Sequence, residues 1–228
     1  MANQIRILST KKLLPNQKQY LLNADFSVIE ADYIEVNSKK FEYKNKRDYL
    51  IFTSQNAVES ILQNKNATEL KKIPSFCVGE KTKALLGENG FKVIVTADYA
   101  AELASVICNQ YPKSSFTFFS GNLRRNILPE AMQLAGIQYD EIEVYETILT
   151  PNTINTKPSG ILFFSPSGVE SYLTSNLLTD ETCFCIGKTT SEALENKTQN
   201  IIIANKPTVE NVIIQCINHY SKLGAPDA

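Results

Sequence analysis

Short runs of apolar, β-branched and aromatic residues alternate along this chain with amphipathic helical patterns. The runs fall at 4–9 (QIRILS), 27–30 (SVIE), 49–53 (YLIFT), 74–78 (PSFCV), 92–95 (KVIV), 115–119 (SFTFF), 139–144 (YDEIEV), 160–164 (GILFF), 183–186 (CFCI) and 200–203 (NIII). Helical patterns lie between most of them, at 55–63, 81–87, 100–110, 125–135, 167–175, 190–195 and 208–219. Strand, helix, strand at this spacing predicts an α/β protein built on parallel sheets with right-handed crossovers.

The pattern is written twice. "YLIFTSQNAVESIL" begins at Tyr49 and "GILFFSPSGVESYL" at Gly160, so that Val58-Glu59-Ser60 matches Val169-Glu170-Ser171. Cys77-Val78-Gly79 then matches Cys185-Ile186-Gly187, Thr82 matches Thr190, Leu86 matches Leu194, Val95 matches Ile203 and Glu102 matches Glu210. Matching residue types at strand ends and helix starts, in order, predict two similar α/β domains. They need not be contiguous. A strand-helix-strand at 115–144 follows the first copy, whereas the second runs to the C-terminus. If both sheets have five strands, the N-terminal β-α-β at 4–30 supplies the two that the second copy lacks. The expected division is therefore 1–35 plus 148–228 for one domain and 38–145 for the other. Two chain crossings, near 35–38 and 146–150, would form a double hinge beside a ligand cleft.

Composition adds mostly exclusions. The chain has 228 residues, 43% hydrophobic and 21% charged, with a formal net charge of −1. No global basic field points to nucleic acid or to an acidic membrane surface. The opening MANQIRILSTKK is too polar for a signal peptide, and no apolar stretch approaches the roughly 18 residues of a membrane span. Cysteines at 77, 108, 183, 185 and 216 show no metal-type spacing, and Cys183 and Cys185 share one face of a strand. Buried free thiols in a reducing cytoplasm are expected. No G-x-G-x-x-G follows a strand and no P-loop is present, which removes most of the weight from dinucleotide and nucleotide chemistry. His219 is the only histidine, so a Ser-His-Asp triad is disfavoured and acid–base work falls to carboxylates, Lys or Tyr.

What remains is a set of hydroxyl-rich strand ends: Thr53-Ser54, Gly79 with Thr82, Ser120-Gly121-Asn122, Ser165-Pro166-Ser167-Gly168, and Gly187 with Thr189-Thr190. Each precedes or begins a helix, where unpaired N–H groups and the helix dipole favour anions. Two readings fit each position taken alone, plain N-capping and ligand binding. Five such ends together favour a site that grips several carboxylates or phosphates with uncharged donors.

Three segments carry a resemblance. "CVGEKTKALLGENGFKV", "FFSGNLRRNILPEAMQLAGIQYDEIEVYET", and "CIGKTTSEAL" followed by "ANKPTVENV" resemble, in order and spacing, the uroporphyrinogen-III synthase family over roughly residues 49–215. Two departures stand out: Ser-Thr-Lys-Lys follows the first strand where many members have Arg-Pro, and Asn211 stands where Gly is common. The resemblance implies two flavodoxin-like domains with parallel five-stranded sheets, joined by a two-segment hinge linker. It also implies closure of the linear tetrapyrrole hydroxymethylbilane to uroporphyrinogen III, with loss of water and inversion of the last pyrrole. No cofactor is implied. The expected partner is this polycarboxylate, handed over transiently by the preceding enzyme of haem-type biosynthesis, to a monomer in the cytoplasm with no nucleic acid or membrane partner.

Residue by residue, the resemblance makes Tyr145 in VYET the candidate catalytic group, helping the hydroxyl depart, against packing as a linker aromatic. Thr82 and Thr190 match cleft threonines, against simple capping. Ser54, Ser120, Gly121, Ser165, Ser167, Gly168 and Thr189 are candidate carboxylate contacts, and Arg125 is a candidate on the helix after Ser120-Gly121. Arg124 and Lys188 are weaker candidates, and Tyr172, Glu59 and Glu170 read as helix-surface residues. Two other classes stay open: a non-catalytic two-domain binder of an anionic small molecule, and a flavodoxin-like regulatory or flavin protein. The binder would leave product ratios unchanged. The strand ends lack the acidic cluster of a phospho-acceptor, and a flavin would colour the protein.

Overall fold

The computed structural model describes residues 4–223. They fall into two compact units, one made of the chain up to Glu35 and from Ile148 onward, the other of Val36–Thr147. Along the chain run β1 (Arg6–Ser9), α1 (Pro15–Asn23), β2 (Ser27–Glu30), β3 (Ile34–Ser38), β4 (Tyr49–Phe52), α2 (Gln55–Leu62), α3 (Ala67–Leu70), β5 (Ser75–Val78), α4 (Glu80–Glu88) and β6 (Val93–Ala97). They are followed by α5 (Ala100–Gln110), β7 (Ser115–Gly121), α6 (Ile127–Leu134), β8 (Gln138–Leu149), β9 (Gly160–Phe163), α7 (Pro166–Ser175), β10 (Thr182–Cys185), α8 (Lys188–Glu192), β11 (Ile201–Ile203) and α9 (Val209–Leu223).

The first unit holds a five-stranded sheet in the order β11-β10-β9-β1-β2, with every neighbouring pair parallel. Its strands read as unbroken apolar runs because helices cover both faces. Successive residues alternate between the two cores. Ile7, Leu162 and Phe184 pack with Leu21 of α1 and Val212, Ile213 and Cys216 of α9. Leu8, Ile161, Phe163, Cys183 and Cys185 pack on the other side with Val169 and Tyr172 of α7. Burial pushes the thiols of Cys183 and Cys185 up to about 12.

The second unit is built likewise, with Leu50, Phe52 and Phe119 facing α2 and α4 and with Ile51, Phe76 and Phe118 facing α5 and α6. Its sheet runs β3-β8-β7-β4-β5-β6 and so has six strands, not the five expected from strand counting. The extra strand is β3, in the segment read as a bare crossing. Its largely polar sequence, Ile-Glu-Val-Asn-Ser, hides it, and it forms because β8 runs on to Leu149 and offers an edge. The Lys39 N–H donates to the Val144 carbonyl (2.8 Å) and the Thr150 N–H to the Tyr33 carbonyl (3.0 Å). Numbers rise on one strand as they fall on the other, so this pair is antiparallel. The two crossings of the chain are therefore neighbours in one two-stranded ribbon.

The two sheets share one layout. Read from the edge, one is β11-β10-β9-β1-β2 and the other β6-β5-β4-β7-β8, followed by β3. The strands of the sequence repeat take the same three places in each, and β7 and β8 stand where β1 and β2 do. In both sheets the direction of winding reverses at one place, between β9 and β1 and between β4 and β7. A crevice at the carboxyl ends of such strands is where open α/β sheets hold ligands.

Candidate functional site

In the first unit the reversal point is lined by small hydroxyl residues. Ser165, in extended backbone, caps α7, its Oγ accepting from the Gly168 N–H at 3.0 Å and lying 3.1 Å from Ser167 Oγ. Thr10, just past β1, donates both its Oγ1–H (2.8 Å) and its N–H (3.1 Å) to the Leu162 carbonyl. A β-carbon on Gly168 would lie 3.2 Å from Ser165 Oγ and 3.7 Å from Thr10 Oγ1, so the glycine keeps the two strand ends close. Ser165, Ser167 and Gly168 are thus brought together, with Thr10 as a neighbour that sequence analysis missed. The signal was its place after β1, in the atypical Ser-Thr-Lys-Lys. Lys11 follows, its ammonium 5.8 Å from the centre of the Phe164 ring, a cation held by an aromatic face. Asn211, the other departure, accepts from the Lys206 N–H (3.1 Å) and donates its own N–H to Thr208 Oγ1 (3.1 Å), securing the start of α9.

Thr82 and Thr190 occupy equivalent places in the two units. The cap of α4 is Gly79, at φ +86° in the left-handed region, and the cap of α8 is Gly187. Each threonine is therefore the third residue inside its helix, and neither caps it. Both are buried, at 4% and 1% exposure, and neither side chain has a hydrogen-bond partner among the described residues. Thr189 is exposed beside Thr190. Ser54 does cap α2, accepting from the Asn56 N–H at 3.2 Å.

At the β7 exit the register with β8 slips: Ser120 faces Glu143, but Gly121 faces Tyr145. The Tyr145 ring lies directly on Gly121, where an added β-carbon would come 2.3 Å from a ring carbon and 2.8 Å from the hydroxyl. Only glycine admits that approach. Tyr145 is half-buried against the apolar core, and its hydroxyl has no hydrogen-bond partner among the described residues. Ser120 Oγ donates to Glu141 Oε1 (2.7 Å), and Arg124 grips the same carboxylate through Nη2 (2.8 Å) and Nε. Burial alone would raise the Glu141 carboxyl; the bonds from Arg124 and Ser120 outweigh it and hold the carboxyl below its ordinary value. Both Ser120 and Arg124 are thus already engaged within the protein. Arg125 is exposed in the loop, since α6 starts at Ile127 rather than at 125.

Tyr172 is a correction. It is buried at 2% exposure, its ring 5.6 Å from those of Tyr33 and Phe163, and burial pushes its phenol up. Polar neighbours at Ser171 and Thr174 disguised a core position one turn from Val169. Glu59 and Glu170 are exposed, as read. Two hollows of about 290 and 380 Å³ open elsewhere, near the starts of β4, β5 and β8, and include Asp140 and Arg47 in their walls but none of the candidate residues. No group of three or more His, Cys, Asp or Glu among the described residues could hold a metal ion. No helix among them is long and apolar enough to cross a membrane.

Comparison with known proteins points one way. The family described as uroporphyrinogen-III synthase HemD matches residues 18–214. A uroporphyrinogen-III synthase of Saccharomyces cerevisiae is 27% identical over 122 residues, which cover 46% of this chain and 44% of the yeast protein. The chain thus spans under half the length of that relative. Among solved structures, uroporphyrinogen-III synthetase from Helicobacter pylori superposes with a TM-score of 0.72 at 22% identity, covering 95% of this chain and 100% of the other. A mutant uroporphyrinogen III synthase from Thermus thermophilus gives 0.70 at 12% identity, covering 96% and 99%. At these identities the structures establish the shared α/β fold.

Proposed function

This chain belongs to the uroporphyrinogen-III synthase family, and on that premise we propose that it closes hydroxymethylbilane to uroporphyrinogen III, losing water and inverting the last pyrrole ring. The observation that carries the reading is the matched pair of buried hydroxyls, Thr82 and Thr190, each the third residue of its helix and without a protein partner among the described residues, in a chain of this family. Hydroxyls and helix-start amides are suited to a substrate with many carboxylates, because they bind anions without the desolvation cost of buried ion pairs.

The chemistry asks little of the protein. The electron-rich terminal pyrrole expels the hydroxyl from its hydroxymethyl carbon, and unassisted closure at the far ring then gives the uninverted isomer. The protein's task is to fold the chain so that the substituted carbon of that ring attacks instead, forming a spiro intermediate that reopens and recloses inverted. Tyr145 donates a proton to the departing hydroxyl, which leaves as water. Thr82, Thr190, Thr189, Ser54, Ser165, Ser167 and Gly168 bind carboxylates, and Gly121 and Arg125 complete the set; Ser120, proposed from the sequence as a further contact, gives its one hydroxyl proton to Glu141 instead. The two units act as flavodoxin-like domains, 1–35 plus 148–228 and 38–145, that share the substrate in a cleft, with the crossings as a hinge. The protein works as a cytoplasmic monomer fed by the enzyme that makes the bilane.

The test is a coupled assay in which hydroxymethylbilane is generated in situ, without added metal or nucleotide, and the product isomers are separated. The type III isomer is expected to dominate. A mixture that stays type I at high protein concentration would remove the activity and leave a binding protein.

A further inference from the structure

Resting on the role given to Tyr145 above, we propose that Asn122 is a positioning residue for it: the Asn122 side-chain amide, clamped on both backbone groups of Thr147, holds the Tyr145 ring against Gly121.

The argument starts from the slip between β7 and β8. Where a register slips, the ladder loses regular bonds and the strand ends are left less well fixed. Here the slip falls between Ser120 and Gly121, immediately before the point where Gly121 faces Tyr145. The next residue replaces what the ladder loses. Asn122 Nδ2–H donates to the Thr147 carbonyl at 3.1 Å, and the Thr147 N–H donates to Asn122 Oδ1 at 2.8 Å. A side-chain amide has the shape and the donor–acceptor pair of a peptide group, and two opposed bonds fix both the distance and the tilt of the segment they hold. Tyr145 is thus bracketed, by its own pairing with Gly121 and by the clamp two residues on.

Nothing else holds the hydroxyl. It has no hydrogen-bond partner among the described residues, so its place is set by the backbone beneath it and by the ring's contact with Gly121. That contact is too close for any β-carbon, which would sit 2.4 Å from a second ring carbon. A small drift of β8 would therefore lift the ring away, and a misplacement of about 1 Å in a reacting group can cost about 100-fold in rate. Asn122 itself is exposed, so no apolar core depends on it.

The experiment compares Asn122→Ala, Tyr145→Phe and the double variant, after melting curves establish that each is folded. Asn122→Ala is expected to lower kcat by roughly 10–100-fold, never by more than Tyr145→Phe does, with KM little changed. In the Tyr145→Phe background it should lower kcat no further, since a residue acting through another loses its effect once that other is gone. Asn122→Asp, which keeps the acceptor and loses the donor, should fall between wild type and Asn122→Ala. A 3-fluorotyrosine at position 145 should give one sharp ¹⁹F resonance that broadens or splits in Asn122→Ala. Losses that multiply in the double variant, or an unchanged resonance, would overturn the proposal alone. Wild-type turnover in Tyr145→Phe would overturn it together with the role of Tyr145.

Discussion

Thr82 and Thr190 are the residues whose environment speaks most directly to binding. A threonine inside a helix, buried and with no partner for its hydroxyl, contributes nothing through that hydroxyl to the fold. Replacing either by Val should leave the melting temperature unchanged or raise it, because no protein hydrogen bond is lost and no group is left orphaned. If the hydroxyl meets a substrate carboxylate, a bond to a charged group worth about 1.5–3 kcal/mol disappears, raising KM roughly ten- to hundredfold. Parallel melting and kinetic measurements decide; an unchanged KM would leave two merely buried hydroxyls. Sequence showed both residues at helix starts but could not separate capping from binding. That distinction depends on Gly79 and Gly187 being the caps, which is a matter of one residue in register. The contact between Gly121 and Tyr145 was likewise invisible, because a slip in strand pairing leaves no mark on either strand alone.

At the scale of elements, the strands were legible because parallel strands covered on both faces must be apolar throughout. Ten of the eleven stood out, and only the polar edge strand β3 escaped. Helix starts were harder: α6 begins two residues later than its pattern suggests, since Arg124 and Arg125 precede the first turn. The loop before it is tied to β8 by Glu141, which accepts from Ser120 and Arg124, with about a quarter of the side chain exposed on each side of the ion pair. Because the folded Glu141 carboxyl titrates below its ordinary value, its stabilisation is complete above the unfolded value of about 4.3 and fades as pH falls through the folded one. Glu141→Gln should therefore be less stable than wild type at pH 7, with the gap closing below about pH 4. Urea unfolding across that range measures it; a gap that does not depend on pH would mean that the carboxylate's charge plays no part.

Over the whole molecule, sequence made the repeat visible across three β-α units, and the sheets show that it runs further. With β7 and β8 in the places of β1 and β2, the chain is a single five-stranded motif written twice in tandem, β1 to β6 and then β7 to β11, leaving aside the ribbon strand β3. Neither copy folds upon itself. The first gives two strands to one sheet and three to the other, and the second does the reverse, as two protein chains do when they exchange arms. The seam between the copies is the turn at Pro112-Lys113. A chain cut there yields 1–112 and 113–228, each owning strands of both sheets and the whole of neither. The pieces should be unfolded or aggregated apart and should regain native spectra and activity when refolded together. Fragment 1–112 folding alone as a stable monomer would contradict this. What looks like two domains is then better regarded as an internal dimer, in which each copy supplies strands to both sheets and neither sheet is complete without the other copy.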